Sequence, residues 1–153
     1  MPANLMDYFN KAPRLGVLST SSKDGKVDSA IFGSPQMIDE KTILIATAQN
    51  RTFANLMENP NAVYMIMEQC SDFPKEGDMN MEPGISAMDW KGIRVYMKMK
   101  EYLTSGEMLD MIQKEAANLV GEEAAKMIYA AITFEIYEVR PLVDYGQGWE
   151  ESI

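Results

Sequence analysis

The chain has 153 residues, a length typical of a single domain, and it carries a formal charge of −9 and no histidine. The negative charge argues against nucleic acids and anionic membranes as partners, because proteins bind both through Lys and Arg side chains that neutralise phosphates. Without histidine the chain lacks the usual general base near neutral pH and the commonest zinc ligand, which argues against a hydrolase and against a metal site. If the protein is an enzyme, a bound cofactor is therefore expected to carry out the difficult step of its reaction.

Hydropathy and cysteine content bear on the compartment. No apolar run reaches the roughly 18 residues that a membrane-spanning helix needs, and the N-terminus lacks the pattern of a secretory signal. Cys70 is the single cysteine, so an internal disulfide cannot form, as expected in a reducing compartment. We therefore expect a cytoplasmic protein with no membrane partner, in which Cys70 is an ordinary thiol.

The first third of the chain predicts a short helix followed by strands. Asn4 can cap a helix that runs through Lys11 and is ended by Pro13. The runs that follow are rich in β-formers or alternate between apolar and polar residues, and an Asp-Gly turn joins the first two of them. The predicted strands are 15–21, 27–33, a brief pairing segment at 36–38, and 42–47.

The spacing of apolar residues changes from Thr52 onward. It predicts a helix of about two turns that stops at Asn59-Pro60, and a strand follows at 62–67. A segment rich in proline and glycine at about 69–89 is predicted to be a loop insertion, which serves as a lid or partner contact or is simply mobile. The remaining predicted elements are a strand at 90–103, helices at 106–119 and 122–127, a strand at 132–139 and a polar tail at about 142–153.

The predicted elements define a fold class. Five or more antiparallel strands in hairpin order, with only short helices, indicate a mainly β (α+β) protein built as a small closed barrel, since closure removes exposed strand edges. We therefore treat residues 1–153 as one domain.

A candidate anion site lies at residues 47–52, between a buried strand and a helix N-terminus. The first amides of a helix have no intrahelical acceptor, and the helix dipole favours negative charge there. A phosphate would accept hydrogen bonds from these amides, from the Thr52 hydroxyl and from Arg51. In the alternative, Thr52 is only an N-cap and Arg51 a surface residue, and the local sequence favours this alternative because capping threonines are common.

Positive charge is concentrated in residues 91–100, which contain four basic residues and no acidic one, although the whole chain is acidic. Such a strand can line a pocket for an anionic ligand. It can equally pair with Asp and Glu of the same protein or of a second subunit, and the sequence leaves both explanations open. The basic residues are Lys91, Arg94, Lys98 and Lys100.

Several short motifs follow one another in order along nearly the whole chain. They are Asp24-Gly25, Ala30-Ile31-Phe32-Gly33-Ser34-Pro35, the buried strand from Ile43 to Thr47, Arg51-Thr52, Asn55-Leu56, Glu58-Asn59-Pro60 and Gly92-Ile93-Arg94-Val95-Tyr96-Met97-Lys98. This combination resembles the pyridoxamine 5′-phosphate oxidase-like flavin-binding split barrels.

The resemblance implies a six-stranded antiparallel split β-barrel that forms a homodimer, with FMN in a groove at the subunit interface; F420 or FAD would be the alternative cofactors. It implies that the phosphate lies on Arg51 and Thr52, and that Lys91 and Gly92 approach the cofactor. It also implies that two stretches flank the ribityl chain and flavin ring, namely Thr47, Ala48, Gln49 and Asn50 on one side and Ser29, Ala30 and Ile31 on the other.

Some features of the resembling proteins are absent. True pyridoxamine 5′-phosphate oxidases carry an Arg-x-His substrate motif, and haem-binding relatives commonly ligate through histidine, so a chain without histidine is expected to do neither. One hypothesis is an FMN-dependent oxidoreductase that passes electrons or hydride from a reduced nicotinamide to a small acceptor. Another is a non-catalytic flavin module for electron transfer, storage or sensing, and a third is a barrel that serves as an interaction domain. No catalytic residue is indicated.

Two further groups of residues have alternative explanations. Met79-x-Met81 has the soft ligands of a copper(I) site, although methionine more often fills irregular cores. Tyr145 and Trp149 would cover the flavin of a neighbouring subunit, or belong to a disordered tail. The sequence does not decide between these alternatives.

Overall fold

A computed structural model of the chain describes residues 4–11, 15–69 and 90–146, with the side chain of Gln69 left out. The loop insertion predicted at about 69–89 therefore lies almost wholly outside the described residues, and so does the end of the predicted tail. The predictions for Cys70, for Met79-x-Met81 and for Trp149 fall outside them as well.

The described residues form seven strands and four helices, and every predicted helix and strand is present with small changes of boundary. No helix among them is long and apolar enough to cross a membrane. In chain order the elements are α1 (Leu5–Asn10), β1 (Leu15–Ser21), β2 (Val27–Ile31), β3 (Gln36–Met37), β4 (Thr42–Thr47), α2 (Arg51–Glu58), β5 (Asn61–Gln69), β6 (Trp90–Leu103), α3 (Glu107–Val120), α4 (Glu122–Lys126) and β7 (Ala130–Pro141).

The strands pair antiparallel in one sheet with the order β2-β1-β5-β6-β7-β4-β3. The class predicted from the sequence is confirmed, and the sheet differs from the prediction only in detail, with seven described strands in place of six and no described ladder that closes it. The two-residue strand β3 adds a seventh strand, and among the described residues no ladder joins β3 to the other edge strand, β2. Pro35 directly precedes β3 and has no backbone N–H, which limits pairing at this edge.

The segment between β2 and β3 bridges the two edges of the curled sheet. The Phe32 N–H donates to the Gly16 carbonyl of β1 at 3.0 Å, and the Ser34 hydroxyl donates to the Ala46 carbonyl of β4 at 3.3 Å. From the inside, the Tyr64 hydroxyl donates to the Phe32 carbonyl at 2.6 Å. These bonds hold the end of β2 near β4 although the two strands do not pair.

The core lies on the concave face of the sheet. In β6 the side chains of Ile93, Val95 and Met97 are buried, while Arg94 and Tyr96 between them are only partly buried. Helix α1 covers this core at one end, where the Phe9 ring packs on Tyr64 with ring centroids 5.5 Å apart. The sheet thus presents an apolar inside and a mixed outside.

Candidate functional site

The loop after β4 leads directly into the first turn of α2. The Asn50 side chain is the N-cap, since its Oδ1 accepts from the Phe53 N–H at 3.0 Å. The Thr47 hydroxyl donates to the Ala48 carbonyl at 3.0 Å, which fixes the start of the loop. The alternative in which Thr52 is the cap is therefore wrong, because Asn50 holds that position and Thr52 lies inside the helix.

The first turn of α2 offers several unpaired hydrogen-bond donors. The backbone N–H groups of Arg51 and Thr52 precede the first intrahelical bonds, and the turn contains no acidic residue. The Arg51 side chain is exposed and makes no ion pair within the described part of the chain. Thr52 is only 2% exposed, yet no described residue hydrogen-bonds to its hydroxyl. An oxyanion at this turn would satisfy all of these groups.

The second predicted stretch, Ser29 to Ile31 in β2, lies against the same helix. Helix α2 packs on β1 and β2, and the buried Asn55 amide donates to the Thr20 hydroxyl of β1 at 3.1 Å. The Ser29 hydroxyl shares a 2.9 Å hydrogen bond with Ser19, and Ile31 is 72% exposed. Residues 29–31 and 47–52 therefore lie on neighbouring elements, as the resemblance implies.

Lys91 and Gly92 do not lie near residues 47–52 in the same chain. Thr47 pairs with the first residue of β7, beside the pairing of Leu103 at the far end of β6. Gly92 is eleven residues from Leu103, about 35 Å along the strand. A single chain therefore places residues 47–52 and residues 91–92 level with opposite ends of β6, whereas Ile31 is level with Arg94 across β1 and β5.

Three of the four basic residues of β6 form ion pairs within the chain, which supports the pairing explanation for them. The two lysine pairs involve exposed ammonium groups, and such pairs contribute little to stability. Within the described residues Lys98 makes no ion pair, although it lies opposite Glu135 in the ladder. The pairs are Lys91–Glu68 at 3.9 Å, Lys100–Glu135 at 3.8 Å and Arg94–Asp144.

Asp144 fastens the segment after β7 to the outside of the sheet. Its side chain, 8% exposed, accepts from the guanidinium groups of Arg140 and Arg94 and from the Gly146 N–H at 2.7 Å. The hydrogen bonds from Arg140 and then from Gly146 hold the pKa of Asp144 well below its ordinary value. The same bond to Asp144 raises the pKa of Arg140. The Leu142 N–H completes the attachment by donating to the Gly92 carbonyl at 3.0 Å.

The lowered pKa of Asp144 predicts a dependence of stability on pH. A carboxylate with a lowered pKa in the folded state stabilises the fold fully above its unfolded pKa of about 3.9, and this stabilisation is lost as the pH falls through the folded value. We expect Asp144→Asn to lower the urea midpoint at pH 7 and to lose less stability than the wild type below about pH 5. Glu123→Gln, at a carboxylate that is 94% exposed, is the control. Parallel pH profiles of Asp144→Asn and the wild type would contradict the assignment.

An apolar cavity of about 310 Å³ opens beside this attachment. It adjoins Gly92, because Leu142 both lines it and binds the Gly92 carbonyl. Among the described residues no group of three His, Cys, Asp or Glu side chains could hold a metal ion. The lining residues of the cavity are Leu15, Met67, Trp90, Leu142 and Val143.

Sequence reasoning missed two parts of this region. The role of Asn50 had a local signal, because asparagine three residues before an amide of the first turn is a common cap. The Asp144 attachment had none, since Arg94 and Asp144 are 50 positions apart and no local spacing relates them. The sequence did single out Arg94, but as part of a charged strand and not for its partner.

The chain was compared with known protein families, curated sequences and solved structures. No family model and no curated protein sequence matches the chain. Solved structures do match, among them an FMN-binding protein of Syntrophomonas wolfei subsp. wolfei, with a TM-score of 0.67 and 24% identity over 91% of this chain and 84% of that one. An F420 reductase matches with a TM-score of 0.59 and 12% identity over 90% of this chain and 97% of that one.

A third match is a FAD-binding protein of Mesorhizobium loti, with a TM-score of 0.55 and 15% identity over 87% of this chain and 86% of that one. The shared architecture is an antiparallel split barrel with a few short helices. The chain has the pyridoxamine 5′-phosphate oxidase-like split-barrel fold, which confirms the resemblance read from the sequence motifs.

Proposed function

We propose that this protein binds FMN and holds the FMN phosphate at the first turn of α2. The observation that carries the proposal is the set of donors on that turn that no described residue pairs, above all the buried Thr52 hydroxyl beside the exposed Arg51 guanidinium. A phosphate dianion accepts from such groups with charge-assisted hydrogen bonds. The likeness in fold to an FMN-binding protein, a FAD-binding protein and an F420 reductase supports a flavin over other phosphates.

The flavin ring is proposed to lie between the two stretches that flank α2. Backbone groups of residues 47–50 would run along the ribityl chain, and residues 29–31 of β2 would form the opposite wall. FAD and F420 are the less favoured cofactors in this proposal. When bound, FMN supplies the hydride and electron chemistry, while the protein positions it and limits access of water.

The proposal includes a homodimer with FMN at the subunit interface. Lys91 and Gly92 lie about 35 Å along β6 from the end that meets Thr47, so a second copy is needed to bring them to the same cofactor. The outer face of β1 and β5 suits such an interface, because its apolar side chains remain partly or largely exposed in one chain. These side chains are Leu15, Val17, Val63, Met65 and Met67.

The proposed reaction is transfer of electrons or hydride from a reduced nicotinamide to a small acceptor. The alternative, a non-catalytic flavin module, is favoured by one observation: residues 29–31 and 47–52 contain no ionisable side chain except that of Arg51. Neither proposal assigns the protein an acid or base role. The lone Cys70 supports the cytoplasm as the proposed compartment.

Titration of the purified protein with FMN tests this proposal. We expect tight binding, a mass of twice 17.2 kDa in solution and one FMN per chain. Consumption of NADH or NADPH in the presence of a quinone or oxygen would support the oxidoreductase, whereas a yellow protein that consumes neither nucleotide would support the module. A protein that binds no FMN would overturn both, and a monomer that binds FMN would overturn the shared site.

A further inference from the structure

Three aromatic side chains, which we call the aromatic shelf, lie beside the first turn of α2. They are Phe53 of α2, Tyr102 near the end of β6 and Tyr129 just before β7. The Phe53 ring centroid is 5.7 Å from that of Tyr102 and 5.2 Å from that of Tyr129, and both pairs meet edge to face. Mutual contact of this kind holds the rings in fixed orientations.

The shelf is rigid but remains open to solvent. Tyr102 is 45% exposed and Tyr129 is 37% exposed. Neither phenol group has a hydrogen-bond partner within the part of the chain that the structure describes. Exposed ring surface with free hydroxyl groups suits a ligand that is both planar and polar.

The backbone ties the shelf to the proposed phosphate site. The Tyr129 N–H donates to the Thr47 carbonyl at 2.8 Å, so Tyr129 sits where the loop into α2 begins. Phe53 directly follows Thr52 in the first turn of the helix. The shelf and the phosphate donors therefore belong to one continuous surface.

The shelf lies on the side of α2 away from the proposed flavin ring. Tyr102 belongs to β6, and two strands, β1 and β5, separate β6 from β2, where residues 29–31 form the proposed wall of the ring. A ligand whose phosphate sits at the first turn of α2 would thus have its flavin toward β2. Any group attached beyond the phosphate would extend toward β6 and β7.

We propose that the aromatic shelf binds the adenosine part of FAD, so that the site accepts FAD as a second cofactor beside FMN and contacts with the adenine support that binding. This inference rests on the proposed flavin phosphate site at α2. FAD is FMN extended at its phosphate by AMP, and adenine stacks on aromatic side chains in the way that bases do in single-strand binding proteins. The Tyr102 and Tyr129 hydroxyls are available to the adenine edge or the ribose.

The test compares the dissociation constants of FAD and FMN, measured by flavin fluorescence, for the wild type and its variants. We expect Tyr102→Ala and Tyr129→Ala each to weaken FAD roughly 5- to 150-fold and to leave FMN affinity unchanged. Tyr102→Phe, which keeps the ring, should retain most of the FAD affinity. Met111→Ala, at a side chain 61% exposed on α3, is the control and should change neither constant.

Three outcomes would overturn the shelf assignment. An unchanged ratio of FAD to FMN affinity in the alanine variants would show that adenosine lies elsewhere. An equal loss of affinity for FAD and FMN would show that the flavin ring itself binds on the shelf. Wild-type protein that binds FMN but excludes FAD would overturn the inference and leave the proposed function standing, whereas binding of neither flavin would be the failure of the proposed function. If Tyr102→Ala fails to fold, Tyr102→Leu is measured in its place, because it also removes the aromatic ring.

Discussion

Arg51→Ala is expected to weaken FMN binding about tenfold to more than a hundredfold, since a hydrogen bond to a charged group contributes roughly 1.5–3 kcal/mol. Arg51 is exposed and makes no ion pair within the described residues, so its removal should not destabilise the fold. The measurement is a fluorescence titration of the variant and the wild type with FMN, repeated with riboflavin, which has the same ring but no phosphate.

The riboflavin arm separates two explanations for a loss of affinity. If Arg51 binds the phosphate, the variant and the wild type should bind riboflavin equally well. Lys114→Ala removes an exposed positive charge on α3 and controls for the general electrostatic effect. Unchanged FMN affinity in Arg51→Ala would show that the phosphate binds elsewhere. An equal loss of riboflavin affinity would show that Arg51 contacts the flavin ring and not the phosphate.

Gly92→Ala is expected to destabilise the protein by about 2–3 kcal/mol and to lower its melting temperature by roughly 5–10 °C. A Cβ atom at Gly92 would lie 1.9 Å from the Ile66 carbonyl oxygen and 2.9 Å from its carbon. These are backbone atoms of β5, so the clash cannot be relieved by rotating a side chain. The strand pair itself would have to shift.

Gly33→Ala is the matched control for this substitution, because a Cβ there meets no heavy atom within 4 Å. We expect its effect on the free energy of unfolding to stay within about 0.5 kcal/mol. Calorimetry of the two variants gives the comparison directly. Equal melting temperatures would mean that the β5–β6 pair accommodates a methyl group and that close packing does not explain this glycine.

The sequence predicted the elements well because their signals are local. The strand predicted at 90–103 has the bounds of β6, and the Asp-Gly turn predicted the β1–β2 hairpin. The brief pairing of β3 was also predicted, since Pro35 limits how long that strand can be. Open edges were not predicted, because closure depends on how far the whole sheet curls.

The candidate site was predicted only in part, for the same reason. The order of strand, polar loop and helix indicated an anion site at Arg51 and Thr52, and α2 does present free donors there. The separation of residues 47–52 from residues 91–92 depends on the register of β6 with β7, which shifts after Tyr96 and again after Met99 and which no motif indicates. The partner of Arg94, Asp144, likewise depends on tertiary contact.

The place of β7 between β6 and β4 has a consequence for synthesis of the chain on the ribosome. Among the described strands, β4 pairs with the two-residue β3 and with β7, which begins 83 residues after β4 ends. At about 5–20 residues per second, β4 waits roughly 4–17 s for its main partner. During that time its uncharged run Thr42-Ile43-Leu44-Ile45-Ala46-Thr47 has the composition that favours aggregation, so chaperones and translation speed bear on the yield of folded protein.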